Sequence, residues 1–136
     1  QGAKLYIDNV CITDITIPEN MDIPAYAFMH YKALTNVTIP NSVNKIGKMA
    51  FYECKGLTSI TIPGSVTSIG DSAFGYCSNV TNITLCDGIT HIGSFAFVNL
   101  SKVSSITIPE SVVEIGNSAF QGMSSKINLY ITNLTK

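Results

Sequence analysis

The pair Ala-Phe stands at residues 27–28, 50–51, 73–74, 96–97 and 119–120, a step of 23 residues every time. A second landmark keeps nearly the same beat. Ile15-Thr16-Ile17-Pro18 returns as Val37–Pro40, Ile60–Pro63, Ile83–Cys86 and Ile106–Pro109, with a degenerate copy at Ile127–Tyr130. The pattern L-x-x-I-T-I-P-x-S-V-x-x-I-G-x-x-A-F-x-x-C fills about five copies over residues 12–123, and Leu57–Cys77 fits it at every stated position. Twenty-three residues are too few to enclose an apolar face of their own. A chain written this way folds by stacking its copies, so that like positions form ladders along one axis.

Each position in the copy has a physical duty. The stretch around Ile60-Thr61-Ile62 alternates with period two, which predicts a short strand with the isoleucines inward and Thr61 outward. Pro63 cannot donate to a ladder and stops it. Val66 and Ile69 return the chain to the core, and Gly70 permits a left-handed or crowded turn. The segment Asp71–Cys77 carries the copy's helical chemistry, with a capping residue ahead of Ala73-Phe74, which predicts one or two α or 3₁₀ turns. The expected architecture is a solenoid of β-strands with short helical turns and a parallel sheet on one face. Phe28, Phe51, Phe74, Phe97 and Phe120 form an aromatic ladder. The whole chain, 1–136, reads as one domain, with a cap strand over residues 4–13, repeats over 12–123, and a closing strand or cap over 124–136. Neither end is strongly polar, so the protein is expected to continue past Lys136.

The repeat resembles the BspA-type leucine-rich repeat. That resemblance implies a right-handed solenoid and a place on the cell surface or in the secreted fraction of host-associated bacteria or mucosal protozoa. It also implies adhesin-like binding to host extracellular-matrix proteins, plasma proteins or glycans. The sequence departs from the pattern at Pro24, where the other copies hold glycine, and at Cys86, where they hold proline.

Composition narrows the chemistry. Charged residues are 12% of the chain and the net charge is −1, which speaks against the basic stripe that nucleic acid demands. No run approaches the ~18 apolar residues of a membrane-spanning helix, and no signal peptide is visible from Gln1 onward. His30 and His91 lie far apart with no H-E-x-x-H or paired cysteines beside them, so no metal site and no cofactor is expected. Ser42, Ser65 and Ser111 repeat at one corner, where serine bonds local backbone; a nucleophile needs a unique, activated hydroxyl. No enzyme is expected. Cys54 and Cys77 share one slot with Leu100 and Met123, which favours buried free thiols over a bridge. The sequons at Asn36, Asn79, Asn82, Asn99 and Asn133 are expected to stand unmodified.

A binding role therefore has to come from the surface. Two polar ladders are expected on the outer strand face: Thr16, Thr38, Thr61, Thr84, Thr107 and Asn128, and Asp14, Asn36, Ser59, Asn82, Ser105 and Lys126. Residues that every copy repeats are explained by folding. Residues that differ between copies are the candidates for ligand contact: Lys45, His91 and Glu114 at one slot, and Tyr52, Tyr76 and Asn99 near the turn, tyrosine being a frequent interface residue. The alternative to a non-catalytic binding module is a structural spacer that displays other domains.

Overall fold

Period-two alternation becomes strand where the sequence places it. The structure, a computed structural model, describes residues 6–7, 10–124 and 128–131. Twelve short strands are assigned: β1 (Tyr6–Ile7), β2 (Val10–Cys11), β3 (Asp14–Thr16), β4 (Asn36–Thr38), β5 (Lys45–Ile46), β6 (Ser59–Ile62), β7 (Ser68–Ile69), β8 (Asn82–Leu85), β9 (His91–Ile92), β10 (Ser105–Ile108), β11 (Glu114–Ile115) and β12 (Asn128–Ile131). β1 and β2 form an antiparallel hairpin; every other pairing is parallel. In β6, β8 and β10 exposed and buried residues alternate strictly, with Ile60 and Ile62 inward and Thr61 outward. Asn128, expected in the threonine ladder, instead pairs with Ser105, and Thr107 pairs with Tyr130, so the last strand is shifted by two residues from the sequence alignment; Lys126, Ile127 and the sequon at Asn133 lie outside the described residues.

Each coil has two straight arms, and they pair differently. The second arm builds one continuous four-stranded sheet in the order β5-β7-β9-β11. Its strands are two residues long, too short for an alternation to be read from sequence. The first arm, expected to form the main sheet, instead pairs as β3-β4, β6-β8 and β10-β12. The repeat proline removes one possible cross-coil bond from this arm. Cys86 has an N–H and donates it to Ile62 O across the β6-β8 pair, at 3.1 Å. Pro63 and Pro109 hold the same slot and have no such donor. The breaks between pairs fall at these two prolines, but Pro40 holds the same slot beside the intact β3-β4 pair, so proline alone does not divide the sheet.

The expected helical turn is not found. Residues 70–77 and their equivalents form successive tight turns, with no helix among the described residues. The reason is visible in the backbone. Two residues per coil, four apart, take positive φ: Tyr26 and His30, Met49 and Glu53, Ser72 and Tyr76, Phe95 and Asn99, Ser118 and Gly122. A left-handed residue every fourth position prevents a right-handed helix from propagating. Backbone hydrogen bonds alternate accordingly. Ala73 N–H closes a turn onto Gly70 O, while Phe74 N–H reaches across to Ala96 O of the next coil at 2.8 Å. Gly47, Gly70, Gly93 and Gly116, expected to serve a left-handed or crowded turn, serve crowding. None has positive φ, and a Cβ at Gly70 would sit 2.6 Å from Lys48 N.

The core is one continuous cluster along the axis. Phe51, Phe74 and Phe97 are fully buried, while Phe28 and Phe120 pack against the cluster from its two ends. Consecutive rings stack with centroids 5.3, 5.1, 5.6 and 5.7 Å apart, the offset arrangement aromatic rings prefer. Cys54 and Cys77 are buried free thiols that donate to Phe28 O and Phe51 O at 3.1 Å. Burial pushes the Cys54 thiol up to about 12 and raises Cys77 as well. The corner serines do structural work: Ser65 and Ser111 hydroxyls donate to Val43 O and Ile89 O at 2.7 Å.

Candidate functional site

Because β5, β7, β9 and β11 run parallel and in register, one outward position from each makes a row. That row is Lys45, Ser68, His91 and Glu114. Three candidate residues taken from different copies of the sequence thus stand side by side, with Ser68 as a fourth member the sequence reading passed over. Its place follows directly from the 23-residue step. The His91 ring lies 3.3 Å from the Glu114 carboxylate through Nε2, and its Nδ1 is 2.8 Å from the Thr90 hydroxyl. Both partners are well exposed, at 54% and 69%. An exposed pair of this kind contributes little to stability, so folding does not account for it.

Beside this row the glycine ladder opens a groove. Gly70, Gly93 and Gly116 carry no side chain, and the coil backbones stack closely there. A groove of about 350 Å³ results, lined by Ser68, Asp71, His91, Ser94 and Glu114 over a glycine floor. Asp71 is held in place because its Oδ1 accepts from Ser94 N–H at 2.9 Å. The groove is open and shallow. It offers hydroxyl, imidazole and carboxylate groups on a rigid backbone, and it suits contact with a polar surface more than enclosure of a small apolar molecule. Among the described residues no group of three or more His, Cys, Asp or Glu is placed to hold a metal ion. No helix there is long and apolar enough to cross a membrane.

Tyr52, Tyr76 and Asn99 belong to the turn segments instead. Tyr76 and Asn99 are equivalent positions in consecutive coils, both with positive φ, alongside Glu53 and His30. Tyr52 lies one position earlier in its coil, and its ring covers Gly75, where a Cβ would meet Tyr52 Cδ1 at 3.1 Å. Tyr52 and Tyr76 meet edge to face at 5.5 Å. His30 packs edge-on to Tyr52 at 5.9 Å and pairs with Glu53 at 2.7 Å. Burial first, then the neighbouring Tyr76 and Glu53, raises the Tyr52 phenol above its usual range. Asn99 stands further along and is exposed. The candidates therefore form two groups, a charged row on the second arm and an aromatic cluster on the turns. His30 and Glu53 join the second group; their signal in the sequence is that they share the Tyr76 slot.

The comparisons with known proteins agree with this geometry. The model of the BspA type leucine rich repeat region matches residues 2–128 in six copies, one more than the sequence pattern counted. The structure of the pneumococcal vaccine antigen PcpA superposes with a TM-score of 0.79 at 26% identity, over 88% of this chain and 30% of that one. The leucine-rich repeat protein of T. pallidum gives 0.77 at 28% identity, over 80% and 54%. A leucine-rich cell surface protein from Faecalibacterium prausnitzii gives 0.62 at 25%, over 90% and 48%. The chain thus spans about 30 to 54% of the length of these structures. A search of curated proteins found no match. With the family model covering residues 2–128, the chain belongs to the BspA-type leucine-rich repeat family.

Proposed function

We propose that this chain is a non-catalytic recognition module of a bacterial cell-surface or secreted protein, and that its second-arm face makes the contact. The observation that carries the reading is the row Lys45, Ser68, His91 and Glu114 beside the glycine-floored groove. It combines a rigid, hydrogen-bonded platform with side chains that differ from coil to coil. A preformed face loses little conformational entropy on binding, and its mixed charge favours selectivity over raw affinity. The partner class is a polar protein surface, such as a host extracellular-matrix or plasma protein, or a glycan. The aromatic cluster of Tyr52 and Tyr76 is the second contact region. Kinship with a cell surface protein and a vaccine antigen supports exposure outside the cell.

The test is to immobilise the folded chain and present panels of matrix proteins, plasma proteins and glycans. Saturable binding that falls at least tenfold in the combined Lys45→Ala, His91→Ala and Glu114→Ala variant supports the reading. A folded chain that binds nothing in the panels favours the spacer role instead.

A further inference from the structure

Successive coils are joined along both arms and along the turns, and two of these three sides are bonded at every step. On the second arm Thr67 N–H donates to Asn44 O, Thr90 N–H to Thr67 O and Val113 N–H to Thr90 O, at 2.9, 2.8 and 2.9 Å. In the turns Phe28, Phe51, Phe74 and Phe97 donate to Ala50 O, Ala73 O, Ala96 O and Ala119 O.

The first arm is joined only at alternate steps. β3 pairs with β4, β6 with β8 and β10 with β12, while β4 lies beside β6 and β8 beside β10 without pairing. One position makes the alternation plain. Thr35, Thr58, Thr81 and Ser104 are equivalents at the 23-residue step, and all four are exposed. Thr35 N–H donates to Thr13 O at 2.7 Å and Thr81 N–H to Thr58 O at 3.0 Å. Among the described residues the N–H groups of Thr58 and Ser104 make no such bond. The hydroxyls repeat the pattern, since those of Thr35 and Thr81 donate to the same two carbonyls. One residue further on, the sequence keeps the same two-coil beat. Asn36 and Asn82 stand on strands that pair with the preceding coil, and Ser59 and Ser105 on strands that do not.

The seam between β8 and β10 is also open to solvent. A groove of about 260 Å³ lies along it, lined by Asn82, Thr84, Ser105 and Thr107. It is polar and roomy enough to hold water, which satisfies backbone groups that strand pairing leaves free. Separating the two strands there breaks no ladder.

We propose that the first arm is hinged: the stack flexes at the seams between β4 and β6 and between β8 and β10, as rigid coil pairs turning about the unbroken second-arm sheet. In a solenoid each coil contacts only its neighbours, so a step bonded on two sides instead of three is where bending costs least. Flexing there changes the curvature of the second-arm face while Lys45, Ser68, His91 and Glu114 keep their register. On the proposed function this fits the face to its partner's shape; the hinge itself does not depend on that reading.

The experiment uses the full chain with nothing bound. By amide exchange, Thr58 and Ser104 are expected to exchange at least a hundredfold faster than Thr35 and Thr81, with Thr67, Thr90 and Val113 protected alike. Motion is read by spin labels on paired cysteines in a Cys11→Ala, Cys86→Ala chain, since Cys54 and Cys77 are buried. Thr84→Cys with Thr107→Cys spans a seam, and Thr61→Cys with Thr84→Cys spans a paired step. The spread of label-to-label distances is expected to be broader across the seam by at least half. Equal protection at the four amides overturns the proposal even where a labelled variant folds poorly. So does fast exchange with equal spreads, which describes a fixed, watered gap. Neither outcome bears on whether the second arm binds a partner.

Discussion

The two straight arms of the coil both carry a row of exposed side chains, and they fill it differently. On the first arm the row is Thr16, Thr38, Thr61, Thr84 and Thr107, the same residue on five strands. On the second arm it is Lys45, Ser68, His91 and Glu114. Repetition of threonine is what a stable sheet surface asks for, since β-branched neighbours pack well across strands. No such demand selects lysine, serine, histidine and glutamate in turn. On the proposed reading, the contrast separates residues that hold the coil together from residues free to specify a partner. The second-arm sheet also runs unbroken through four coils while the first arm is divided into pairs, which supports the proposed use of the second arm as the platform.

The division can be pressed hardest at the invariant interior. Phe74→Ala is expected to destabilise the chain by about 3–5 kcal/mol, because the ring is fully buried and stacked on both faces. Phe28→Ala and Phe120→Ala, each stacked on one face and only partly buried, are expected to lose about half as much. Urea melts check this, and equal losses at all three sites would remove the distinction between inner and outer coils. Gly70→Ala comes next. With backbone at 2.6 Å from the new Cβ, a loss of about 1–3 kcal/mol is expected from overpacking, read by the same melts.

Alkaline pH tests the buried slot shared by Cys54 and Cys77. Cys54 ionises near 9.0 when free and near about 12 in the fold. The folded state thus resists deprotonation that the unfolded chain undergoes. Stability from this site is fully present below pH 9 and is lost as pH rises toward 12. By pH 10 the loss is expected to be about 1 kcal/mol, measured by urea melts under reducing conditions. The pH dependence is expected to weaken in Cys54→Ala. Smaller still, Thr61→Ala is expected to cost about 0.2–1 kcal/mol through lost cross-strand packing with Thr84. A Thr61 variant that weakened partner binding more than stability would blur the line between the two rows.

Much of this was legible in the residues. The alternation in Ser59–Ile62 gave the strand, the 23-residue step gave the stacking, and the Ala-Phe pairs gave the aromatic ladder. The row of Lys45, His91 and Glu114 followed from counting, since parallel in-register strands turn sequence period into spatial neighbours. Other features were hidden for physical reasons. Ser-Ala-Phe after a capping residue resembles a helix start, but the left-handed φ at Ser72 and Tyr76 that breaks it is carried by side chains with no special claim to that conformation. The second-arm sheet went unread because a two-residue strand has no period. The split of the first-arm sheet has no signal of its own at the proline slot, since Pro40 holds the same slot as Pro63 and Pro109 while β3 and β4 stay paired. The groove was missed because its floor is made of residues without side chains.

The most direct test compares the two rows against one partner. A protein or glycan captured by the wild type is titrated against a Thr61→Ala, Thr84→Ala chain and against a Lys45→Ala, His91→Ala, Glu114→Ala chain. The triple change on the second arm is expected to leave stability within about 0.5 kcal/mol of wild type and to weaken binding at least tenfold, while the threonine changes leave binding intact. Binding that survives the triple change and falls with the threonines would contradict the account.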